Sequence, residues 1–327
     1  MRTATNPHLR FATIGECMLE LHYEDAGGIV LSFGGDTFNT AAYARRLGDG
    51  LGDFVDYITA IGDDPFSAEM AAFWSAQGVG HSHVLRRAGK RPGLYFIKLD
   101  ANGERRFYYW RGEAAVRDCF ETEGSDELLA SLGGFTHIYL SGITLAVLRP
   151  ASRERLLSRL EQLARSGTTI VFDCNHRPLL WESPQTAGTF AARMARMATH
   201  LLLTVEELAV VGVAPAAEAG AAYFSAWPDL DVVIKDGERP CTLVHGGRTT
   251  VVPGVHVEHV VDTTAAGDSF SAAYMLGRAL GLDPQESARR AHVVAAAVVQ
   301  YHGAIIPKDA TPAVFAAELA AQRAAAD

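Results

Sequence analysis

The chain has 327 residues, of which 48% are hydrophobic and 20% charged, and its formal net charge is -9. This composition is typical of a folded soluble protein and excludes collagen-like, low-complexity and largely disordered chains. The acidic balance argues against binding to nucleic acid or to an anionic membrane, because both need a basic face. An anionic substrate would therefore have to be attracted by a local cluster of arginine or lysine.

The cysteine and hydropathy patterns predict a cytoplasmic protein with free thiols and no membrane segment. The four cysteines are Cys17, Cys119, Cys174 and Cys241. They are far apart, with no CxxC pair and no Cys/His spacing that suits a metal. Residues 1–10 lack the apolar core of a signal peptide, and the longest apolar stretches, such as 293–299, are too short to cross a bilayer.

The first part of the chain alternates between strand-like and helix-like segments. In chain order these are strands at 11–14 and 17–22, a helix near 37–47, a strand at 57–61 and a helix at 65–77. Such alternation is typical of a parallel sheet covered by helices.

Residues 94–100 and 105–110 interrupt this pattern, because both segments are β-rich and residues 100–103 between them (DANG) form a strong turn signal. They predict a hairpin that projects from the main sheet. Its aromatic residues are Tyr95, Phe96, Phe107, Tyr108, Tyr109 and Trp110. They fall on both faces, so we expect one face to be covered by a ligand or another chain.

The alternation resumes at residue 137. The predicted elements are a strand at 137–140, a helix at 153–166, a strand at 169–173, a helix at 189–198, strands at 201–204 and 232–235, a hairpin at 241–245 and 248–252, and helices at 269–280 and 284–300. There is no internal repeat, low-complexity tract or long linker. The sequence therefore predicts a single domain over residues 1–327.

Residues 262–269 (DTTAAGDS) are the strongest local signal for chemistry. A strand end runs through small residues directly into a helix, which aims free backbone N–H groups and the positive helix end at one spot. If a phosphoryl group binds there, the Asp268 carboxylate beside it could take the proton from an attacking hydroxyl. The alternative is that Asp268 only stabilises the start of the helix.

A second signal is the Gly34–Gly35 pair, which lets the backbone approach a ligand closely and precedes the polar residues Asp36, Thr37 and Asn39. A plain turn with a helix cap is the alternative.

Polar residues also follow several predicted strands, where ligands gather in open α/β sheets. Arg177, held extended before a proline, suits a carboxylate or phosphate, although a surface ion pair is the commoner role of an arginine. Tyr109 and Arg111 lie two apart on a strand and share a face. Glu206 and Glu207 could hold Mg²⁺ through water or simply favour a helix start.

The chain contains neither a GxxxxGK[ST] loop nor a GxGxxG motif after a strand, so a P-loop or dinucleotide-binding protein is unsupported.

Together these segments resemble the ribokinase-like (PfkB) family of carbohydrate kinases over nearly the whole chain. The two family signatures, a Gly-Gly stretch at 34–39 and a DTxGAGD-type stretch at 262–268, occur in the right order and separation. Similarity to the family members that act on 2-keto-3-deoxy-D-gluconate comes from GECM (15–18), GGDT (34–37), PGLY (92–95), FYYWR (107–111), LSGI (140–143), NHRP (175–178) and GAIIP (303–307).

The resemblance implies a doubly wound α/β fold, in which helices flank a mostly parallel sheet, with a small β-sheet lid inserted at about residues 15–33 and 92–112. It implies a phosphotransferase that moves the γ-phosphoryl group of ATP to the 6-hydroxyl of 2-keto-3-deoxy-D-gluconate, giving 2-keto-3-deoxy-6-phosphogluconate and ADP. ATP and Mg²⁺ would be the cofactors, with a monovalent cation as a further candidate. Because the exposed lid face commonly pairs with another subunit in this family, we expect a homo-oligomer.

The resemblance also implies residue roles. Asp268 would be the general base, and the backbone of Ala265, Ala266 and Gly267 would form the anion hole. The sugar-acid pocket would be lined by Gly34, Gly35, Asp36, Thr37, Phe38, Tyr95, Tyr109, Arg111 and Arg177. The nucleotide would lie along Asn175, Arg177, Thr204, Lys235, Asp236, Gly237 and His292, and Glu207 would hold the metal through water.

An acidic substrate is also favoured on physical grounds, because a desolvated carboxylate needs a cation such as Arg111 or Arg177 and a neutral sugar does not. Ala265 replaces the first glycine of the family stretch, and we expect it to keep a negative φ. The family's NxxE stretch reads 204–207 here, without its asparagine, and the early aspartate that binds ribose in ribokinases has no clear equivalent near Glu16.

Two alternatives stay open. The first is another kinase of the family, acting on fructose, a nucleoside or 5-keto-2-deoxygluconate. The second is a non-catalytic regulator that binds a sugar acid.

Overall fold

A computed structural model of the chain describes residues 9–23, 27–99 and 105–326. Within these ranges the strands are β1 (Phe11–Ile14), β2 (Met18–Tyr23), β3 (Ile29–Gly34), β4 (Val55–Ile58), β5 (Ala60–Gly62), β6 (Leu85–Arg87), β7 (Gly93–Leu99), β8 (Arg105–Trp110), β9 (His137–Ser141), β10 (Thr169–Asp173), β11 (His200–Thr204), β12 (Asp231–Lys235), β13 (Cys241–His245) and β14 (Arg248–Val252). The helices are α1 (Asp36–Leu47), α2 (Pro65–Ala76), α3 (Ser125–Ser131), α4 (Gly142–Val147), α5 (Pro150–Arg165), α6 (Pro184–Met197), α7 (Ala217–Phe224), α8 (Ala266–Ala279), α9 (Pro284–Val298) and α10 (Ala316–Ala326).

The main sheet has eight strands in the order β14-β13-β12-β11-β10-β9-β1-β4. The strands from β4 to β12 pair in parallel, and β13 and β14 add an antiparallel edge. Buried apolar residues alternate along each strand, so Val171 packs in one core cluster while Ile170 and Phe172 pack in another. Helices α1, α2, α8, α9 and α10 cover the first cluster, and α3 to α7 cover the second. The predicted doubly wound, mostly parallel fold is confirmed.

The second sheet, which we call the lid, has four strands in the order β3-β2-β7-β8. Strands β7 and β8 pair antiparallel as the hairpin prediction requires, with Tyr95 opposite Tyr109. The predicted turn at 100–103 lies outside the described residues. One face of the lid carries Glu20, Tyr95 and Tyr109, and alternation places a largely apolar set on the other face.

Some element boundaries differ from the sequence prediction. Helix α6 begins at Pro184 rather than 189, because the Ser183 hydroxyl accepts a hydrogen bond from the Thr186 N–H and proline suits the first helical position. The strand predicted at 57–61 is two strands, and the second of them, β5, leaves the main sheet to pair with β6.

In the part of the chain that the structure describes, no helix is both long and apolar enough to span a bilayer. All four cysteines are free and buried.

Candidate active site

The carboxyl ends of the central parallel strands bring four polar side chains to one edge of the sheet. These residues are Ser141 on β9, Asp173 on β10, Thr204 on β11 and Lys235 on β12. Because parallel strands all end at the same edge, residues distant in sequence meet there. Helices α1 and α8 begin at this edge, close to those side chains.

Asp173 holds the centre of this edge. Its Oδ2 accepts hydrogen bonds from Lys235 Nζ at 2.8 Å and from Ser271 Oγ at 2.7 Å. Although burial by itself disfavours the ammonium, Asp173 and Glu207 raise the pKa of Lys235 above its ordinary value. The raised pKa keeps the lysine protonated. A Cβ atom built on Gly267 would lie 3.8 Å from Lys235 Nζ, so this ammonium lies beside the start of α8.

The start of α8 is shaped by Ala265, which has φ 60° and ψ 11°. The expectation that this alanine keeps a negative φ is therefore wrong. The left-handed turn brings the chain from Asp262 into the helix, and the Asp262 carboxylate fixes it by accepting bonds from the Thr264 N–H at 2.9 Å and the Gly303 N–H at 2.8 Å. The first-turn N–H groups of a helix have no acceptor within it, so the hollow at residues 265–268 is suited to an anion.

Asp268 lies in the first turn of α8, and its carboxylate is placed by α1. Asn39 Nδ2 donates to Asp268 Oδ2 at 2.8 Å, and Thr40 Oγ1 donates to the Asp268 carbonyl at 3.3 Å. Burial, followed by repulsion from Asp36, raises the pKa of Asp268 to about 7, against the lowering effects of Asn39 and Lys235. A carboxylate with a pKa near neutrality is suited to accept a proton at physiological pH.

Asp36 faces the same space from the start of α1. Burial raises its pKa, and hydrogen bonds from Ser141, the Thr37 N–H and Asn175 oppose that rise. Asn175 Nδ2 donates to Asp36 Oδ2 at 2.8 Å, and the residue reaches this position with a φ of 32°, which asparagine tolerates better than most residues. At Gly35 a Cβ would lie 2.1 Å from the Glu16 carbonyl oxygen, so this close approach requires glycine.

The inner face of the lid forms a wall beside Gly34. A Cβ built on Gly34 would lie 2.9 Å from the Tyr95 hydroxyl, which donates to Glu20. The rings of Tyr95 and Tyr109 lie 5.8 Å apart, and the Arg111 guanidinium lies 5.7 Å from the centre of the Tyr109 ring. Tyr109 and Arg111 therefore share a face, as their spacing predicts.

The two predicted arginines have different surroundings. Arg111 is 9% exposed and forms an ion pair with the buried Glu16 carboxylate. Arg177 is exposed and extended, and its guanidinium bonds to the His176 carbonyl at 3.2 Å. Burial raises the pKa of Tyr109, and the nearby positive charges of Arg111 and Arg177 oppose that rise. Of these two arginines, only Arg177 keeps an unneutralised charge among the described residues.

Several predicted site residues face elsewhere. Phe38 is fully buried in the core, and the Thr37 hydroxyl lies 3.0 Å from the Tyr57 hydroxyl, so these two side chains support the fold and only their backbone can reach a ligand. Asp236 pairs with Arg239 at 2.6 Å, beside Gly237 in a left-handed turn. His292 is 9% exposed, and its ring packs edge-on against Phe270.

Glu207 joins two strand ends. Its carboxylate accepts the His176 N–H at 2.6 Å and the Thr204 N–H at 2.8 Å, and burial raises its pKa. Each oxygen thus accepts one backbone hydrogen bond and keeps a further lone pair, which can accept a hydrogen bond from a metal-bound water. Among the described residues, no three His, Cys, Asp or Glu side chains are arranged to hold a metal directly.

The sequence assigned no role to three residues that organise the site, namely Asp173, Asn39 and Glu16. Asp173 and Asn39 belonged to segments already recognised as strand-end or helix-start signals. Their partners, Lys235 and Asp268, are 62 and 229 residues away, and local patterns do not reveal such contacts.

These observations define an α/β protein in which a helix start suited to an anion lies beside a carboxylate with a pKa near neutrality. The sequence profile of the pfkB family carbohydrate kinases matches residues 10–311. The chain therefore belongs to the PfkB family of carbohydrate kinases.

Similar proteins agree with this family. The chain is 42% identical over 308 residues to 2-dehydro-3-deoxygluconokinase of Escherichia coli (strain K12), covering 93% of this chain and 99% of that protein. It is 43% identical over 306 residues to the protein of the same name from Dickeya dadantii (strain 3937), covering 92% and 98%. A fructokinase of Klebsiella pneumoniae is 28% identical over 268 residues, covering 81% and 83%.

Solved structures show the same fold. A PfkB protein from Polaromonas sp. JS666 has a TM-score of 0.77 at 24% identity, covering 89% of this chain and 96% of that one. A fructokinase with bound ATP from Xylella fastidiosa has a TM-score of 0.76 at 22% identity, covering 97% and 98%.

The left-handed backbone of Ala265 predicts how substitutions there change the stability of the protein. Ala265→Gly should leave the free energy of unfolding nearly unchanged, because relief of about 1 kcal/mol of backbone strain offsets a cost of about 0.4–1 kcal/mol from the freer unfolded chain. Ala265→Val should destabilise the protein by more than about 1 kcal/mol, since β-branched residues rarely adopt positive φ. Thermal denaturation measures both. Ala222→Val, at an exposed position of α7, is the control, and equal melting of Ala265→Val and wild type would contradict the role of this turn.

Proposed function

We propose that the chain is an ATP-dependent kinase that phosphorylates the 6-hydroxyl of 2-keto-3-deoxy-D-gluconate, giving 2-keto-3-deoxy-6-phosphogluconate and ADP. The observation that carries the proposal is the Asp268 carboxylate, with a pKa of about 7, lying beside the open first turn of α8. Relatives that are 42–43% identical over nearly their whole length bear the name of this activity.

In the proposed step, the 6-hydroxyl oxygen attacks the γ-phosphorus while its proton passes to Asp268. The bond from the γ-phosphorus to the bridging oxygen breaks, and ADP leaves with that electron pair. Asn39 orients the carboxylate, and it binds only one of the two oxygens, which leaves Oδ1 for the substrate. Lys235 and the N–H groups at 265–268 stabilise the charge that develops on the transferred group.

The nucleotide would place its phosphates at this helix start and extend along the ends of β11 and β12. Thr204, Lys235, Asp236 and Gly237 lie there, with Asn175 at the end of β10 and His292 in the adjoining α9. A hydrated Mg²⁺ would neutralise the phosphate charge, and its remaining waters would donate hydrogen bonds to the Glu207 carboxylate. The structure carries no argument for a monovalent cation.

The sugar acid would lie between Gly34–Gly35 and the inner face of the lid, near Tyr95 and Tyr109. We assign its carboxylate to Arg177, because Glu16 already neutralises Arg111. Arg111 would instead hold Tyr109 through its position near that ring. An unneutralised arginine at this end of the pocket favours an acid over fructose, the substrate of the main alternative.

ADP release tests the proposed function directly. Purified protein is assayed with ATP, Mg²⁺ and either 2-keto-3-deoxygluconate, gluconate or fructose. We expect kcat/KM to be highest by far with the keto acid. Preferred turnover of fructose would establish the alternative kinase, and keto-acid binding without ADP release would establish a non-catalytic regulator.

The crowding of Asp36 and Asp268 predicts a pH dependence. Asp268 must be deprotonated to accept a proton, so kcat/KM should fall as the pH drops below about 7. Asp36→Asn removes a negative neighbour, which lowers the pKa of Asp268, and should move this acidic limb to lower pH. A pH–rate profile of both proteins measures the shift.

Asp268→Asn is the control for that experiment. It should lower kcat by roughly 10²–10⁴, the usual share of a general base. Retained turnover in this variant, or an acidic limb that Asp36→Asn does not move, would contradict the assignment of the base.

Arg177→Ala should raise KM for the keto acid by roughly tenfold or more, because it removes a charge-assisted contact. KM for ATP should change little, and Arg165→Ala, at the exposed end of α5, should change neither. Steady-state kinetics with each substrate varied separates the two effects. An equal rise in KM for both substrates would contradict a place in the sugar-acid pocket and would indicate that Arg177 lies along the nucleotide.

We further propose that the outer face of the lid pairs with a second copy of this chain. Four large apolar side chains are exposed there, namely Tyr23 (56%), Ile29 (58%), Tyr108 (46%) and Trp110 (62%). Strand alternation places all four on the face opposite Glu20 and Tyr95. A contiguous apolar face of this kind is typical of an association surface.

Trp110→Glu should therefore shift the protein to a smaller species in light scattering coupled to size exclusion. Val251→Glu, at a similarly exposed apolar position on β14, is the matched control and should leave the mass unchanged. A wild-type protein that is already monomeric at assay concentration would refute the pairing.

A further inference from the structure

A cavity of about 220 Å³ has Arg111 in its wall. The rest of its lining comes from Arg117, from residues 146–150 where α4 is followed by α5, and from residues 180–182. At about 30 Å³ for each water in the liquid, it has room for roughly seven waters, enough for a small hydrated anion. None of the residues that surround Asp268 or the start of α8 lines it.

Two buried hydrogen-bond donors of the lining have no partner among the described residues. They are Arg111 Nε, whose side chain is 9% exposed, and Trp181 Nε1. The carboxylate of Glu182, the acidic side chain of this lining, already pairs with Arg153 at 2.8 Å. Buried donors without acceptors are costly, so the cavity is built for a group that accepts hydrogen bonds.

The charge of the lining is positive. Three arginines and one glutamate line the cavity, which leaves two positive charges in excess. Arg111 pairs with Glu16, and Glu182 pairs with Arg153. Because Glu16 and Arg153 lie outside the lining and carry opposite charges, including them leaves the excess unchanged. The two excess positive charges are those of Arg117 and Arg149. Neither guanidinium forms an ion pair within residues 9–23, 27–99 and 105–326.

The start of α5 adds to the same field. Arg149 is the residue that precedes this 16-residue helix, and the first turn contains no acidic side chain. A cation at this end opposes the helix dipole, which favours negative charge there. An anion in the cavity would be attracted by the helix end and would also relieve the repulsion of Arg149.

We propose that this cavity is a second anion site, which takes a phosphate oxyanion, free or carried by a small sugar acid. Arg117 and Arg149 pair with its charge, and Trp181 Nε1 and Arg111 Nε donate hydrogen bonds to it. The site goes beyond the proposed phosphoryl transfer, because it lies apart from Asp268 and from the hollow at 265–268. Arg111 lines this cavity and also lies near the Tyr109 ring on the inner face of the lid. An anion bound in the cavity would therefore affect the arginine that supports Tyr109.

Fluorescence of Trp181 tests the proposal without turnover, so a chain that lacked kinase activity would still give an answer. Inorganic phosphate is titrated at constant ionic strength, with and without saturating MgATP to fill the α8 hollow. We expect a saturable change in both conditions that Trp181→Phe removes. The dissociation constant should rise roughly tenfold or more in Arg149→Ala and in Arg117→Ala, since each loses a charge-assisted contact.

Two variants of equal charge change serve as controls. Arg165→Ala, at the far end of α5, and Arg177→Ala, at the sugar-acid pocket, should bind phosphate as the wild type does. Circular dichroism checks the fold, and the exposed Arg149 keeps the test valid if Arg117→Ala does not fold.

Three results would overturn the proposal: no saturable signal, loss of the signal with MgATP, or loss in Arg177→Ala but not in Arg149→Ala. Titration with the phosphorylated keto acid then identifies the source of the anion. Tighter binding than free phosphate indicates a product site, and equal binding indicates a site for phosphate itself.

Discussion

The active site depends on the pairing of the buried Asp173 carboxylate with Lys235 and Ser271. This one carboxylate joins the ends of two strands to helix α8. A buried charge is stable only when it is paired and hydrogen-bonded, so removal of either Asp173 or Lys235 would leave an uncompensated charge in the interior. Because the pairing fixes Lys235, it also fixes the cation that lies beside Gly267, at the helix start where we propose that the phosphates bind.

Around that pair the protein concentrates negative charge. Asp36, Asp173 and Asp268 all face the same sheet edge, with Lys235 as the buried cation between them. Burial first, and then this crowding, works against ionisation of Asp268, which keeps its pKa near neutrality and makes the carboxylate a stronger base than an exposed aspartate. Asn39 and Asn175 orient the carboxylates without adding charge, so they hold the geometry without cancelling the repulsion.

The sequence predicted the features that local patterns encode. Alternating strands and helices identified the parallel sheet, the β-rich pair at 94–110 identified the lid hairpin, and the small residues before Asp268 identified the helix start. Arg177 is extended, as the proline that follows it requires.

What the sequence could not predict depends on contacts between distant residues. Thr37 and Phe38 follow the glycine pair, yet their side chains turn to the core, because helix α1 packs that face on Tyr57 and Trp74. The sequence predicted Arg111 as a cation available to the substrate, but the fold pairs it with Glu16, which is 95 residues away in sequence. The conformation of Ala265 was also missed, since it depends on the Asp262 carboxylate, which accepts bonds from Thr264 within the turn and from Gly303 on a distant segment.

The two roles proposed for the lid fall on alternate residues of the same strands. Tyr109 lies on the face assigned to the proposed sugar-acid pocket, and Trp110, its immediate neighbour, lies on the outer apolar face. A strand cannot be stiffened on one side only, so a subunit that packs against Trp110 would also restrict the movement of Tyr109. Substrate affinity in such an assembly would then depend on protein concentration, and dilution alone would weaken the hold on the sugar acid although no residue of the pocket had changed.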